Sequence, residues 1–456
     1  MIRAMEGRSK RDWLKFTGVA GLAAIAVALA TGVISPAFAD DMTLDKGDNA
    51  WMMTSSLLVL MMTVPGLALF YGGLVRTKNM LSVLSQILMV QCIVCVVWFL
   101  WGYSLAFGPA TTGAAAPFIS SLDVAFMKGI NADSVAATFT DGVGIPELTF
   151  VCFQMTFAAI TTALAIGSFV ERVKFGVVCL FSILWSTFVY FPVAHMVWAG
   201  GGFLFDLGAL DFAGGTVVHI NAGIAGLVGC LMAGRRVGYK VEPMPPHSLT
   251  MTLIGTGLLW VGWFGFNAGS NLEATGAASL AMANTFLATA AAGVSWVLIE
   301  WVFKGKPSLL GMCSGVIAGL VAVTPAAGFA GPMGALVLGL IVSPICFVMS
   351  TAVKNALGYD DSLDVFGIHC IGGIVGAIGT GILVDPNLGG IGVDGYTMAG
   401  QVMIQAKAVG TVIAWDLVGS FLIFLVLKIV FGLRVSEDKE QEGLDISEHG
   451  ERAYHY

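Results

Sequence analysis

Apolar residues along this chain come in runs of about twenty, separated by short polar stretches that carry most of the charge. Runs of that length suit a helix crossing a bilayer, whose hydrocarbon core is about 30 Å thick. Backbone groups in hydrocarbon must be satisfied internally, so only helices or closed barrels can span, and the lack of strict apolar–polar alternation selects helices. Spans are expected at 50–72, 79–104, 147–170, 175–196, 213–233, 250–269, 277–302, 309–325, 332–352, 365–384 and 408–431. The pattern predicts an all-α polytopic membrane protein with eleven transmembrane helices, a membrane domain over 40–431 and a polar tail over 432–456.

Composition strengthens this reading. The chain is 57% hydrophobic and only 11% charged, against roughly 25% charged in a soluble domain. Its 59 glycines suit helices whose backbones approach closely in lipid. Ahead of the first span, residues 1–39 read as a secretory signal: five basic residues up to Lys15, an apolar stretch from Phe16 to Ile34, and Ala37-Phe38-Ala39 before Asp40. A retained first helix is the competing reading. The eight cysteines lie within or beside apolar segments, which argues for packing residues rather than a disulfide framework.

Basic residues set the orientation. Arg76/Lys78, Arg172/Lys174, Arg235/Arg236/Lys240, Lys304/Lys306 and Lys354 follow alternate spans, and Arg434 and Lys439 lie in the tail. Positive loops stay in the cytoplasm, which predicts N-out/C-in topology.

Two spans share one pattern. His219-Ile-Asn-Ala-Gly223-Ile224-Ala-Gly226-Leu-Val-Gly229 and His369-Cys-Ile-Gly-Gly373-Ile374-Val-Gly376-Ala-Ile-Gly379 both read H-x3-G-I-x-G-x2-G, 150 residues apart. If five helices repeat, over about 50–235 and 250–385, the odd number inverts the second copy, and the substrate path lies between the repeats near the midplane. An ionisable group inside a span is costly and marks function by default. His219 and His369 are therefore the candidate pore residues, able to share a proton and line a polar stripe. Two histidines fall short of a metal's ligand set. Bis-histidine haem in a membrane redox protein is the rival reading. The sequence offers no nucleotide loop or nucleophile–base pair, so no enzyme, nucleic-acid partner or cofactor is expected.

The segment Asp211-Phe-Ala-Gly-Gly-Thr-Val-Val-His219, continuing to Gly234-Arg235-Arg236, resembles the signature of the ammonium transporter family, which includes bacterial and plant transporters, methylammonium permeases and Rhesus proteins. Phe70-Tyr71-Gly-Gly-Leu, Phe153-Gln-Met-Thr-Phe157, Ala194-His-Met-Val-Trp198, Trp263-Phe-Gly-Phe266-Asn-Ala-Gly-Ser270 and Asp364-Val-Phe-Gly-Ile-His369 resemble it too, in the same order. The resemblance implies an outer substrate site at Phe157, Trp198 and Ser270, a gate of Phe157 and Phe266, pore histidines His219 and His369, and a structural or electrostatic carboxylate at Asp211. It further implies ammonium (or methylammonium) as substrate, a homotrimer among the lipids of a bacterial inner membrane, and nitrogen uptake under PII regulation. The tail motif Glu442-Gly-Leu-Asp445-Ile-Ser-Glu-His449-Gly-Glu-Arg-Ala-Tyr454 resembles the family's regulatory C-terminus, coupled to a PII-type signal protein, although composition alone reads as a solvated tail. An ammonium sensor is a third reading. Sensors of this family often carry an added signalling domain, and 25 residues (432–456) follow the last span.

Overall fold

The computed structural model describes residues 42–454. The signal sequence expected over 1–39 lies outside them. Among the described residues, ten helices are long and apolar enough to cross a membrane: α1 (Lys46–Leu74), α2 (Thr77–Phe107), α3 (Glu147–Ile166), α4 (Phe175–Asp206), α5 (Gly215–Ala233), α6 (Leu249–Gly269), α7 (Gly276–Lys304), α9 (Pro332–Leu357), α10 (Phe366–Leu383) and α11 (Met398–Phe431). An eleventh, α8 (Leu309–Val323), is shorter and equally apolar. The chain is thus a multi-pass, mostly helical membrane protein. Every expected span has its helix, with differences at the ends that have physical causes.

α11 begins at Met398, not near 408, because its polar first turns are consumed internally. Gln405 donates to the Leu210 and Ala377 carbonyls at 2.7 and 2.9 Å and accepts the Leu210 N–H at 2.8 Å. Gln401 donates to the Gly208 carbonyl at 2.9 Å. α3 stops at Ile166, four residues early, and the turn that follows carries Glu171 at a φ of +72°. Inside α1 the backbone is extended at Val64, just before Pro65, whose missing N–H and ring interrupt the helical ladder. α4 leaves helical geometry at Ala199 and resumes for one turn at Phe203–Asp206. Three short strands, which the apolar pattern does not signal, pair in the order β1 (Thr43–Leu44), β3 (Val143–Pro146), β2 (Val135–Ala137).

One face of the molecule gathers the basic loops. Glu171, fully buried, accepts from Arg76 Nε at 3.0 Å and Asn79 Nδ2 at 2.8 Å, and pairs with Arg236. Arg236 also pairs with Asp360 at 2.7 Å. Burial alone would raise the Glu171 carboxyl, but the two guanidiniums outweigh it and hold it below the usual carboxylate range.

The tail docks on this same face rather than lying in solvent, which corrects the compositional reading. Lys174 N–H donates to the Leu433 carbonyl and Val435 N–H to the Arg172 carbonyl, at 3.0 and 3.1 Å. Leu444 is buried, and the Asp445 carboxylate takes the Leu81 and Ser82 N–H groups at 3.1 and 2.8 Å. Those donors belong to the first turn of the long helical part of α2, where an anion is favoured.

Candidate functional site

α5 and α10 cross at the centre of the molecule, and each opens on a widened turn that carries its histidine: Gly215–Ile220 for His219 and Phe366–Cys370 for His369. One turn after each histidine stands the glycine of the repeated motif. A Cβ on Gly223 would fall 2.4 Å from Cys370 Cβ and 2.6 Å from its N, and one on Gly373 would fall 2.8 Å from the Gly215 carbonyl. Only glycine permits this approach at both positions. The consequence is that the rings lie 5.3 Å apart, near-parallel, with His369 Nδ1 3.3 Å from His219 Nδ1.

That contact fixes the proton pattern. One Nδ1 must donate and the other accept, so one ring keeps a bare Nε2 and the other an Nε2–H. His219 Nε2 is buried without a protein partner. Both imidazoles line a narrow cavity whose other walls are apolar, among them Ile160, Leu164, Trp263, Phe266 and Ile317. Its volume is about 10 Å3, the space one water-sized molecule needs. Trp263 stacks on His219 at 5.4 Å and is locked by its indole N–H donating to Thr324 Oγ1 at 2.9 Å.

Beyond the histidines the aromatic residues meet. Phe266 lies 6.0 Å from His219 and stacks on Phe157, with ring centroids 4.1 Å apart and 19° between planes. Both are fully buried. Trp198 stands edge-on to Phe157 at 5.8 Å and is half-buried. Ser270 sits one turn beyond Phe266 on α6 and donates to the Phe266 carbonyl at 2.8 Å, which leaves its lone pairs as acceptors. No hydrogen bond joins Ser270 to Trp198.

Asp211 is an anchor rather than a lining residue. Its carboxylate accepts the N–H groups of Gly214, Gly215 and Thr216 at 2.8, 2.6 and 2.7 Å, and the Thr216 hydroxyl. It therefore caps α5, the helix that carries His219, while its own carbonyl accepts the Trp198 indole N–H at 2.9 Å. Asp361, which the motif reading passed over, accepts the Phe366 N–H at 2.8 Å at the start of α10. It lies 150 residues after Asp211, the same offset that separates the histidines, and that offset was the available signal.

The rings' closeness removes the haem reading, since axial ligands need a macrocycle between them and 3.3 Å leaves no such gap. Among the described residues no cluster of three or more His, Cys, Asp or Glu could hold a metal. A small, mostly apolar cavity inside a bundle of membrane-spanning helices, holding one imidazole pair beside stacked aromatics, fits a membrane channel or transporter for a very small solute. The ammonium transporter family model matches residues 50–454, and the chain belongs to that family. An ammonium transporter of Aquifex aeolicus is 50% identical over 92% of this chain and 96% of its own length, and one of Bacillus subtilis is 44% identical over 90% and 99%. Among solved structures, Saccharomyces cerevisiae Mep2 is 33% identical with a TM-score of 0.77, covering 88% of this chain and 89% of that one. A "Sensor Amt Protein" superposes at a TM-score of 0.80 with 26% identity, covering 88% and 98%. The higher identity lies with transporters, which disfavours the sensor reading. The chain is an ammonium transporter.

Proposed function

We propose that this protein recruits ammonium at the Trp198 face, strips its proton at the Phe157–Phe266 gate, and passes ammonia along His219 and His369 to the face where the tail docks. The observation that carries the reading is the 3.3 Å imidazole pair lining a cavity sized for one small molecule beneath a closed aromatic gate. Cation–π attraction at Trp198 and Phe157 supplies about 0.5–2 kcal/mol per ring, enough to gather the ion. Desolvating it inside costs several kcal/mol, so the charged form stops there. Burial lowers the pKa of a charged amine by up to about 3–5 units, which favours release of the proton to water on the open Trp198 side as ammonia enters the gate. Ammonia both donates and accepts, and the pair offers it one bare Nε2 and one Nε2–H. Potassium and sodium have no neutral form and are refused.

The clustering of Arg76, Arg172, Arg236 and Arg434 with the docked tail supports an inner-membrane orientation with that face in the cytoplasm. The two histidine helices, each capped by a carboxylate and crossing at matched glycines, support an inverted repeat over 50–235 and 250–385. The homotrimer and a PII-type partner on the tail face belong to the same reading. Uptake of labelled methylammonium in cells lacking their own transporters tests it: Trp198→Leu should raise KM and Asp211→Ala should abolish uptake. Unchanged uptake in both variants would refute the recruitment scheme.

A further inference from the structure

His195 lies on α4 one turn before Trp198, is 2% exposed, and takes no part in the steps proposed above. Its ring reaches three groups at the end of α2 and on the loop that follows. Nε2 is 2.9 Å from the Ala116 carbonyl, and Nδ1 is 3.0 Å from both the Ser120 hydroxyl and the Ala106 carbonyl. With its proton on Nε2 the ring donates to Ala116 and accepts from Ser120, and with its proton on Nδ1 it shares that proton between the Ala106 carbonyl and the Ser120 hydroxyl; in either tautomer it bolts the segment 108–121 to α4.

That segment covers the end of α4. The Pro117 carbonyl accepts the Phe203 N–H at 2.8 Å, and Phe118 stacks on Phe203 and on Trp415, each at 5.9 Å. Trp198 is the last residue before α4 leaves helical geometry at Ala199. The helix is interrupted there until Phe203, and the indole rests on the Asp211 carbonyl and the edge of Phe157.

We infer that His195 is a positioning residue for recruitment: by clamping the 108–121 segment onto α4, it fixes the helix end that aims Trp198 over Phe157. A histidine that merely fills the interior would lower the amount of folded protein without a selective effect on substrate affinity. The inference rests on the recruitment reading and makes a different prediction from it.

The test measures KM and Vmax for labelled methylammonium uptake in wild type, His195→Leu, His195→Gln, Ser120→Ala, Trp198→Leu and the His195→Leu/Trp198→Leu double variant, each normalised to folded protein. Glutamine keeps a donor for Ala116 and an acceptor for Ser120. His195→Leu is expected to raise KM about 2- to 30-fold with Vmax held, the loss of one cation–π contact. Ser120→Ala should shift KM the same way, and His195→Gln should restore it. The double variant should be no worse than Trp198→Leu alone, because both changes remove one contact. An unchanged KM in His195→Leu or Ser120→Ala, or fully additive effects in the double variant, overturns the inference. An unchanged KM in Trp198→Leu refutes the recruitment reading itself, and the inference falls with it. Should His195→Leu yield no folded protein, Ser120→Ala and His195→Gln decide the question on the same terms.

Discussion

Asp361 does at the start of α10 what Asp211 does at the start of α5, although the two do it with unequal grip. Asp211 holds three backbone N–H groups within 2.8 Å and a hydroxyl besides, whereas Asp361 holds the Phe366 N–H at 2.8 Å. Each caps the helix that brings one imidazole to the shared cavity. The prediction is a graded one. Asp211→Ala should lower the melting temperature of purified protein more than Asp361→Ala, since each buried donor left unmatched costs about 1–3 kcal/mol. Equal shifts, or a larger one for Asp361→Ala, would contradict the assignment of Asp211 as the dominant cap.

The glycine after each histidine should tolerate no side chain. Gly223→Ala places a methyl 2.4 Å from Cys370 Cβ, 2.6 Å from its N and 2.8 Å from its Cα. Two of those neighbours are backbone, so Cys370→Gly cannot relieve the clash. Overpacking of this kind costs about 1–3 kcal/mol and parts the imidazoles. Gly223→Ala should therefore abolish methylammonium uptake, and the Gly223→Ala/Cys370→Gly pair should remain inactive. Rescue by the pair would show that the helices have more freedom than the crossing implies.

The pattern of apolar runs was enough to find the long apolar helices among the described residues, because lipid imposes that length and polarity on each span. The 150-residue repeat, together with the motif order, pointed to His219, His369 and the aromatic residues before any contact was visible. What escaped was whatever depends on where side chains find partners. The glutamines that open α11 looked like loop residues because their satisfaction lies on the α4–α5 turn and on α10. The tail looked solvated because its partners, the Asn79 side-chain carbonyl that accepts the Leu444 N–H and the Leu81 and Ser82 N–H groups that hold Asp445, lie far away in sequence at the start of α2. His195 stood inside a motif already assigned to Trp198, and nothing in its spacing marks a clamp.

The ion cluster beneath the bundle should resist acid. Glu171 lies below the usual carboxylate range, so its stabilisation is complete above the unfolded value of about 4.3 and disappears as pH falls through the lower folded value. Glu171→Gln leaves Arg236 and Arg76 facing a neutral amide, and breaking such a pair from one side costs about 3–5 kcal/mol. Melting curves of wild type and Glu171→Gln should differ by a constant margin from pH 8 to about pH 5 and converge only under stronger acid. Convergence near neutrality would mean that the carboxylate is not held by its arginines.

Removing the tail from Val435 onward deletes the strap from Val435 to the Arg172 carbonyl, the Glu440 contacts with Arg434 and the Val237 N–H, and the Asp445 grip on α2. The truncated protein should lose inhibition by a PII-type protein and melt at a lower temperature. Full inhibition with an unshifted melting temperature would assign the docked tail no regulatory part.

The central claim is that only a neutral molecule passes the imidazole pair, and potassium flux addresses it most directly. In proteoliposomes the wild type should carry ammonium with no detectable potassium current. A His219→Asp/His369→Asp double variant, which replaces two neutral rings with carboxylates, should conduct potassium. Persistent exclusion of potassium by that variant would contradict the account, because selectivity would then arise somewhere other than the uncharged stripe between α5 and α10.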